Sequence, residues 1–156
     1  MTPENPPDDG KRTRTDAPTE TQYSDDVLVT PDWVDARLDQ FASDDTDLRL
    51  LEVDVNTAFY EAGHAPGAVG VDWRRDLRAA DRHDILGPGE IGEFLGSCGI
   101  TADTTVVVYG DNSNWFAAHL YWQLTYYGHP DVRIMDGGRE YWIDNGYPTT
   151  FDPVDP

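Results

Sequence analysis

The sequence predicts an α/β domain: a central parallel sheet with helices on both of its faces. Three observations carry this. Short apolar strands alternate with helical segments along the chain, the pattern of parallel strands joined by crossover helices. Residues 48–54 and 104–109 are close to unbroken apolar runs, as strands buried on both faces are. Recognisable start and stop residues punctuate the helices between them.

In chain order, residues 27–29 form a short apolar strand. Thr30 then reads as an N-cap, with Pro31 at the first helical position. Trp33, Val34, Leu38 and Phe41 share one face at helical spacing and predict a single helix to about residue 41. The strand at 48–54 is followed by a helical turn near 57–61, the loop 63–67 and a strand at 68–72. Residues 73–86 are long and polar. Pro88 opens a helix that ends at Cys98, with Gly99 as its left-handed cap. Residues 104–109 are β-branched and predict the clearest strand. Residues 110–114 read as a turn, and 115–127 as a long amphipathic helix stopped by Gly128-His129-Pro130. A strand at 132–135, the Gly137-Gly138 turn and a last helix at 140–145 complete the domain.

This gives one domain over residues 24–150. Residues 1–23 hold almost no aliphatic side chains, so they cannot bury enough apolar surface to offset the entropy of ordering them. They are expected to be a disordered polar tail, without the apolar stretch of a signal peptide. Residues 151–156 read as a second tail or the start of a linker.

The chain carries 30 acidic against 11 basic residues, a net charge of −19, and its only lysine is Lys11. A field this negative opposes binding to nucleic acid or to anionic membranes. The acids are spread through every segment rather than gathered in a block, which favours a surface adapted to molar salt over a dedicated basic partner. No run is long enough to span a bilayer, and the expected location is the cytoplasm. The lone cysteine excludes an internal disulfide and a cysteine-based zinc site. His83, His119 and His129 lack metal-ligand spacing. Asp111-x-Ser113 lacks the glycine and closing glutamate of a calcium loop. Neither a metal nor an organic cofactor is expected.

Four segments, in order, resemble the rhodanese family, and especially the first domain of its two-domain members. The first is Leu51-Glu52-Val53-Asp54 with Tyr60-x-x-Gly63-His64-Ala65-Pro66-Gly67-Ala68. The second is Val71-Asp72-Trp73-x-x-Asp76-Leu77 with Arg82-x-Asp84-Ile85-Leu86. The third runs from Tyr109-Gly110-Asp111 to Asn114-Trp115-Phe116-Ala117-Ala118, and the fourth is Asp136-Gly137-Gly138-x-x-x-Trp142. Together they span about residues 27–150. The resemblance implies the rhodanese fold and sulfane-sulfur transfer from thiosulfate to cyanide or a thiol. In the family, a cysteine opens the loop between the central strand and its helix, where backbone N–H groups stabilise a thiolate.

The matching position here is Asp111, which cannot form a persulfide. Its carboxylate is expected to occupy the anion cradle and cap the following helix from within. The loop Asp111, Asn112, Ser113, Asn114, Trp115, Phe116 is therefore degenerate and lacks an arginine. Cys98 falls at a helix C-terminus, where the dipole disfavours a thiolate, and reads as structural. His64 is expected to order its loop. Arg74, Arg75, Arg78 and Arg82 form either internal ion pairs or an electropositive rim that draws thiosulfate-type anions. Trp115 and Trp122 belong either to the core or to a contact with a second domain.

The implied identity is the non-catalytic N-terminal half of a thiosulfate sulfurtransferase, partnered by a cysteine-bearing rhodanese domain in cis or separately encoded. The alternatives are a stand-alone inactive module for protein binding or regulation, and an enzyme that uses Cys98 or Asp111 as its nucleophile.

Overall fold

The computed structural model describes residues 27–43, 47–78 and 85–154. The tail expected at 1–23, together with Arg82 and His83, lies outside them. In chain order the elements are β1 (Leu28–Val29), α1 (Pro31–Asp35), α2 (Leu38–Phe41), β2 (Leu48–Asp54), α3 (Ala58–Glu61), β3 (Ala68–Asp72), α4 (Trp73–Asp76), α5 (Pro88–Ser97), β4 (Thr105–Gly110), α6 (Asp111–Tyr126), β5 (Val132–Met135) and α7 (Gly138–Asp144). The five strands form one sheet in the order β1-β5-β4-β2-β3, and every pairing is parallel.

Side-chain alternation along the strands divides the core in two. Leu51 and Val53 of β2, Val69 and Val71 of β3, and Val106 and Val108 of β4 face α5 and α6, where they meet Ile91, Phe94, Ala117, Leu120 and Leu124. Leu50, Val107 and Tyr109 point the other way, towards Val34, Phe41 and Trp142 of α1, α2 and α7. Register places Leu51 between Val69 and Val108, so the centre of the sheet is covered on both faces.

Most local expectations hold. Thr30 Oγ1 accepts from Trp33 N at 3.0 Å, and Gly99 is left-handed at φ 72°. Two differ. The helix expected from Thr30 to residue 41 is two short helices, because the chain turns at Ala36 and Arg37. The polar stretch after residue 72 begins with helix α4, capped by Asp72, whose carboxylate accepts from Arg74 N and Arg75 N. Beyond the last helix, the described chain follows the domain surface as far as Val154. His64 and Thr150 exchange backbone hydrogen bonds of 2.9 and 2.8 Å, and Val154 N donates to Tyr60 Oη.

Candidate functional site

The candidate site lies at the C-terminal ends of β2 and β4, where ligands gather on open parallel sheets. Gly110 ends β4 so close to β2 that a Cβ there would sit 1.8 Å from Val53 O; only glycine fits. That approach delivers the Asp111 N–H to Asp54 Oδ1 at 3.0 Å. Asn112, Ser113 and Asn114 then take left-handed conformations, with φ of 51°, 57° and 67°. Such angles cost a non-glycine residue about 1–2 kcal/mol each, less for asparagine. Asn114 offsets part of the cost by tying the loop to both neighbouring strands: its Oδ1 accepts from Gly110 N at 3.0 Å, and its Nδ2 donates to Met135 O at 2.7 Å. The turn expected at 110–114 is thus real, although helical hydrogen bonding begins at Asp111.

The Asp111 side chain departs from expectation. Its oxygens accept from Val55 N (3.2 and 3.1 Å) and Asn56 N (3.2 Å), the amides of the β2–α3 loop. The carboxylate therefore reaches across to a neighbouring loop instead of capping its own helix. Two amides aimed at one carboxylate fix its orientation.

Beneath the loop lies a buried polar network that the motifs did not announce. Glu52 is fully buried. Arg139 Nη1 donates to its two oxygens at 3.2 and 3.0 Å and to Gly63 O at 2.6 Å. Tyr109 Oη donates to Glu52 at 2.6 Å and accepts from Ala65 N. Asp54 is 1 % exposed. Burial first, then the adjoining Glu52 carboxylate and the charge of Asp111, push its carboxyl up to about 9, so it is neutral at pH 7. Its Oδ2 has no hydrogen-bond partner. The signal available in sequence was small: two acids at alternate positions of an apolar strand, both on the face that α7 covers.

A cavity of about 300 Å³ opens beside the loop, bordered by Phe59, Asp111, Asn112, Arg139, Glu140, Ile143 and Asp144. The expected arginine rim is not part of it. Arg75 pairs with Asp76 at 2.8 Å, and Arg78 sits over the Trp73 ring at 5.2 Å. Arg74 is exposed, and neither it nor its two described neighbours borders this cavity. Trp73 in turn links Arg78 to the loop, packing on Phe116 with ring centroids 4.7 Å apart.

Cys98 is 4 % exposed in the α5–α6 core, and burial pushes its thiol up to about 11. Such a thiol is a poor nucleophile. His64 is buried and stacked on Tyr60, with centroids 3.7 Å apart. Its ring nitrogens face Tyr60 O at 2.9 Å and Asp152 O at 2.6 Å, so it joins its own loop to the chain's last described residues. His119 accepts at Nδ1 from Trp73 Nε1 (3.3 Å), and burial holds its imidazole below the ordinary range. Of the aromatic residues on α6, Trp115 (73 %), Trp122 (49 %) and Tyr126 (64 %) are exposed. The core reading of Trp115 and Trp122 is therefore wrong: Ala117, Leu120, Gln123 and Leu124 fill the buried stripe. Gln123 takes a core place because its amide bridges Leu77 O and Leu86 N, on either side of residues 79–84.

The parallel five-stranded sheet and its strand-to-helix loop define an α/β domain of the rhodanese fold. The family model for the rhodanese-like domain matches residues 30–145, and the chain belongs to that family. Among curated relatives it is 55 % identical over 130 residues to a Haloferax volcanii protein named "Putative thiosulfate sulfurtransferase", covering 83 % of this chain and 46 % of the relative. It is 43 % identical over 125 residues to the sulfur carrier protein TtuD of Thermus thermophilus, covering 80 % of this chain and 42 % of that protein. The chain thus spans about half the length of the curated relatives it matches. Among solved structures, YnjE superposes with a TM-score of 0.69 at 29 % identity, over 83 % of this chain and 31 % of that one. The Escherichia coli 3-mercaptopyruvate sulfotransferase SseA superposes with a TM-score of 0.70 at 21 % identity, over 83 % and 52 %; it shares the fold. Among the described residues, no helix is long and apolar enough to cross a membrane.

Proposed function

We propose that this chain is the non-catalytic half of a thiosulfate sulfurtransferase, packing against a cysteine-bearing rhodanese domain and helping to shape the cleft between them. Sulfur transfer is then a property of the assembly. A thiolate on the partner attacks the outer sulfur of thiosulfate, the S–S bond breaks, sulfite leaves, and the persulfide passes its sulfur to cyanide or a thiol.

The observation that carries this reading is Asp111. By the resemblance of its loop we take it as the counterpart of the family's loop cysteine, and its carboxylate is held by the Val55 and Asn56 amides. The only thiol, Cys98, is buried and weakly acidic. The surface of α6 supports the partner. From Asn112 to Pro130 the chain carries no Asp, Glu, Lys or Arg, in a molecule of net charge −19, and this stretch exposes Trp115, Trp122 and Tyr126. Uncharged aromatic surface of this kind is typical of interface cores. The lysine-poor, evenly acidic composition supports a cytoplasm of molar salt as the setting.

Intact-mass spectrometry of the full chain after incubation with thiosulfate tests the reading. No added sulfur is expected; one sulfur atom added, and lost in Cys98→Ser, contradicts it.

A further inference from the structure

The cavity beside the Asp111 loop has an uneven chemistry that sulfur transfer does not use. One wall is Arg139, which is 8 % exposed. Its Nη1 makes all three of its hydrogen bonds, to Glu52 and to Gly63 O. Its Nε and Nη2 make none among the described residues, yet the side chain borders the cavity. These donors are not sealed from solvent, since Asp54 Oδ2 is the sole buried side-chain polar atom without a partner among the described residues, so they are free to meet an acceptor that enters the cavity. The cavity is also bordered by acids: Glu140 and Asp144 lie one turn apart on α7 and share a face, while the Asp111 carboxylate is held by the Val55 and Asn56 amides. Two half-exposed apolar groups, Phe59 (44 %) and Ile143 (41 %), border it as well, and the Arg139 guanidinium sits over the Phe59 ring at 5.5 Å.

Each simple ligand fails at one end of this arrangement. The charge of Arg139 is already matched by Glu52 at 3.0 Å, so a free anion such as thiosulfate meets the field of Glu140 and Asp144. A simple amine suits those acids but covers the spare Arg139 donors without satisfying them, which is costly. A molecule carrying both groups meets both needs.

From this we infer that the cavity is a binding site for a small zwitterion of the amino-acid class. Its carboxylate lies on Nε and Nη2 of Arg139, its ammonium faces Glu140 and Asp144, and its apolar body rests against Phe59 and Ile143. A volume of about 300 Å³ is at the small end for ligand sites and suits a single amino acid. The site belongs to this chain alone and does not depend on the sulfurtransferase reading or on a partner.

The test is an NMR titration of the full chain, ¹⁵N-labelled and in molar KCl, with three matched probes. These are L-leucine, 4-methylpentanoate (the same skeleton without the amine) and 3-methylbutylamine (without the carboxylate). L-leucine is expected to shift the amides of Phe59, Asn112 and Ile143 saturably, with each analogue about tenfold weaker for the loss of one charge-assisted contact. The surface variant Glu140→Gln/Asp144→Asn leaves the Arg139–Glu52 pair intact. It is expected to weaken L-leucine by about tenfold while leaving amides remote from α7 unshifted. An analogue that binds as tightly as L-leucine overturns the proposal in favour of a plain anion or cation subsite. Unchanged L-leucine affinity in the variant, or no saturable shift at all, also overturns it.

Discussion

The two faces of the central sheet are built on different principles. The face under α5 and α6 is apolar apart from Gln123, from Leu51 and Val108 to Leu120 and Cys98, and it holds chiefly by burial and close packing. The face under α7 has an apolar cluster of its own, but at the strand ends it encloses Glu52, Arg139, Asp54 and the Tyr109 hydroxyl. Its stability depends on those groups finding one another. The first face tolerates approximate sequence; the second requires particular partners, and it is the one that carries the site.

This difference can be broken experimentally, and the charged face should break hardest. Arg139→Met strands a fully buried Glu52 carboxylate, and urea unfolding in molar salt should show a loss of about 3–5 kcal/mol. Combining it with Glu52→Gln should restore most of that loss, since the orphaned charge is then gone. If the single and double variants are equally destabilised, packing rather than charge holds this region.

On the apolar face, Leu120→Ala removes a fully buried side chain and should cost about 2–4 kcal/mol. Because no partner group is left uncompensated, its effect should be the same at pH 5 and pH 8.

Asp54 supplies a pH test confined to the charged face. Its carboxyl is raised to about 9 by burial and by its acidic neighbours, whereas an unfolded chain titrates near 3.9. Between those values the folded state holds a proton that the unfolded state has lost. Stability should therefore fall as pH rises from about 4 to about 9. Asp54→Asn should flatten this slope and gain about 1–3 kcal/mol at pH 8. A slope unchanged in the variant means another group is responsible.

The smallest effect is expected where neither principle applies. Trp122→Ala, on the exposed face of α6, should alter the stability of the isolated chain by no more than about 0.5 kcal/mol. The same change should weaken association with a cysteine-bearing rhodanese domain, measured by analytical ultracentrifugation. A large stability loss from Trp122→Ala would instead make that face part of the fold.

The apolar face was nearly all legible in the sequence, because strand alternation and helix caps act over a few residues. The runs at 48–54 and 104–109 and the Thr30 and Gly99 signals all report local preference. The charged face was not. Glu52 and Arg139 are 87 residues apart in the chain, and no spacing rule joins a strand acid to a helix arginine. Asp111 shows the same limit. Its position was readable from the motif, but the direction of its carboxylate depends on Val55 and Asn56, 55 residues or more away. The exposure of Trp115 and Trp122 was likewise undecided, because α6 carries more aromatic side chains than one stripe can bury and Gln123 took a core place for its hydrogen bonds to Leu77 and Leu86.

The central claim is that the loop at Asp111 leaves this chain without a sulfur-carrying nucleophile. It is tested most directly by assaying the purified full chain for thiosulfate:cyanide sulfurtransferase activity in molar salt, with Cys98→Ser alongside. The account predicts no turnover by either protein. Turnover that disappears in Cys98→Ser would make the buried thiol the persulfide carrier and would contradict it.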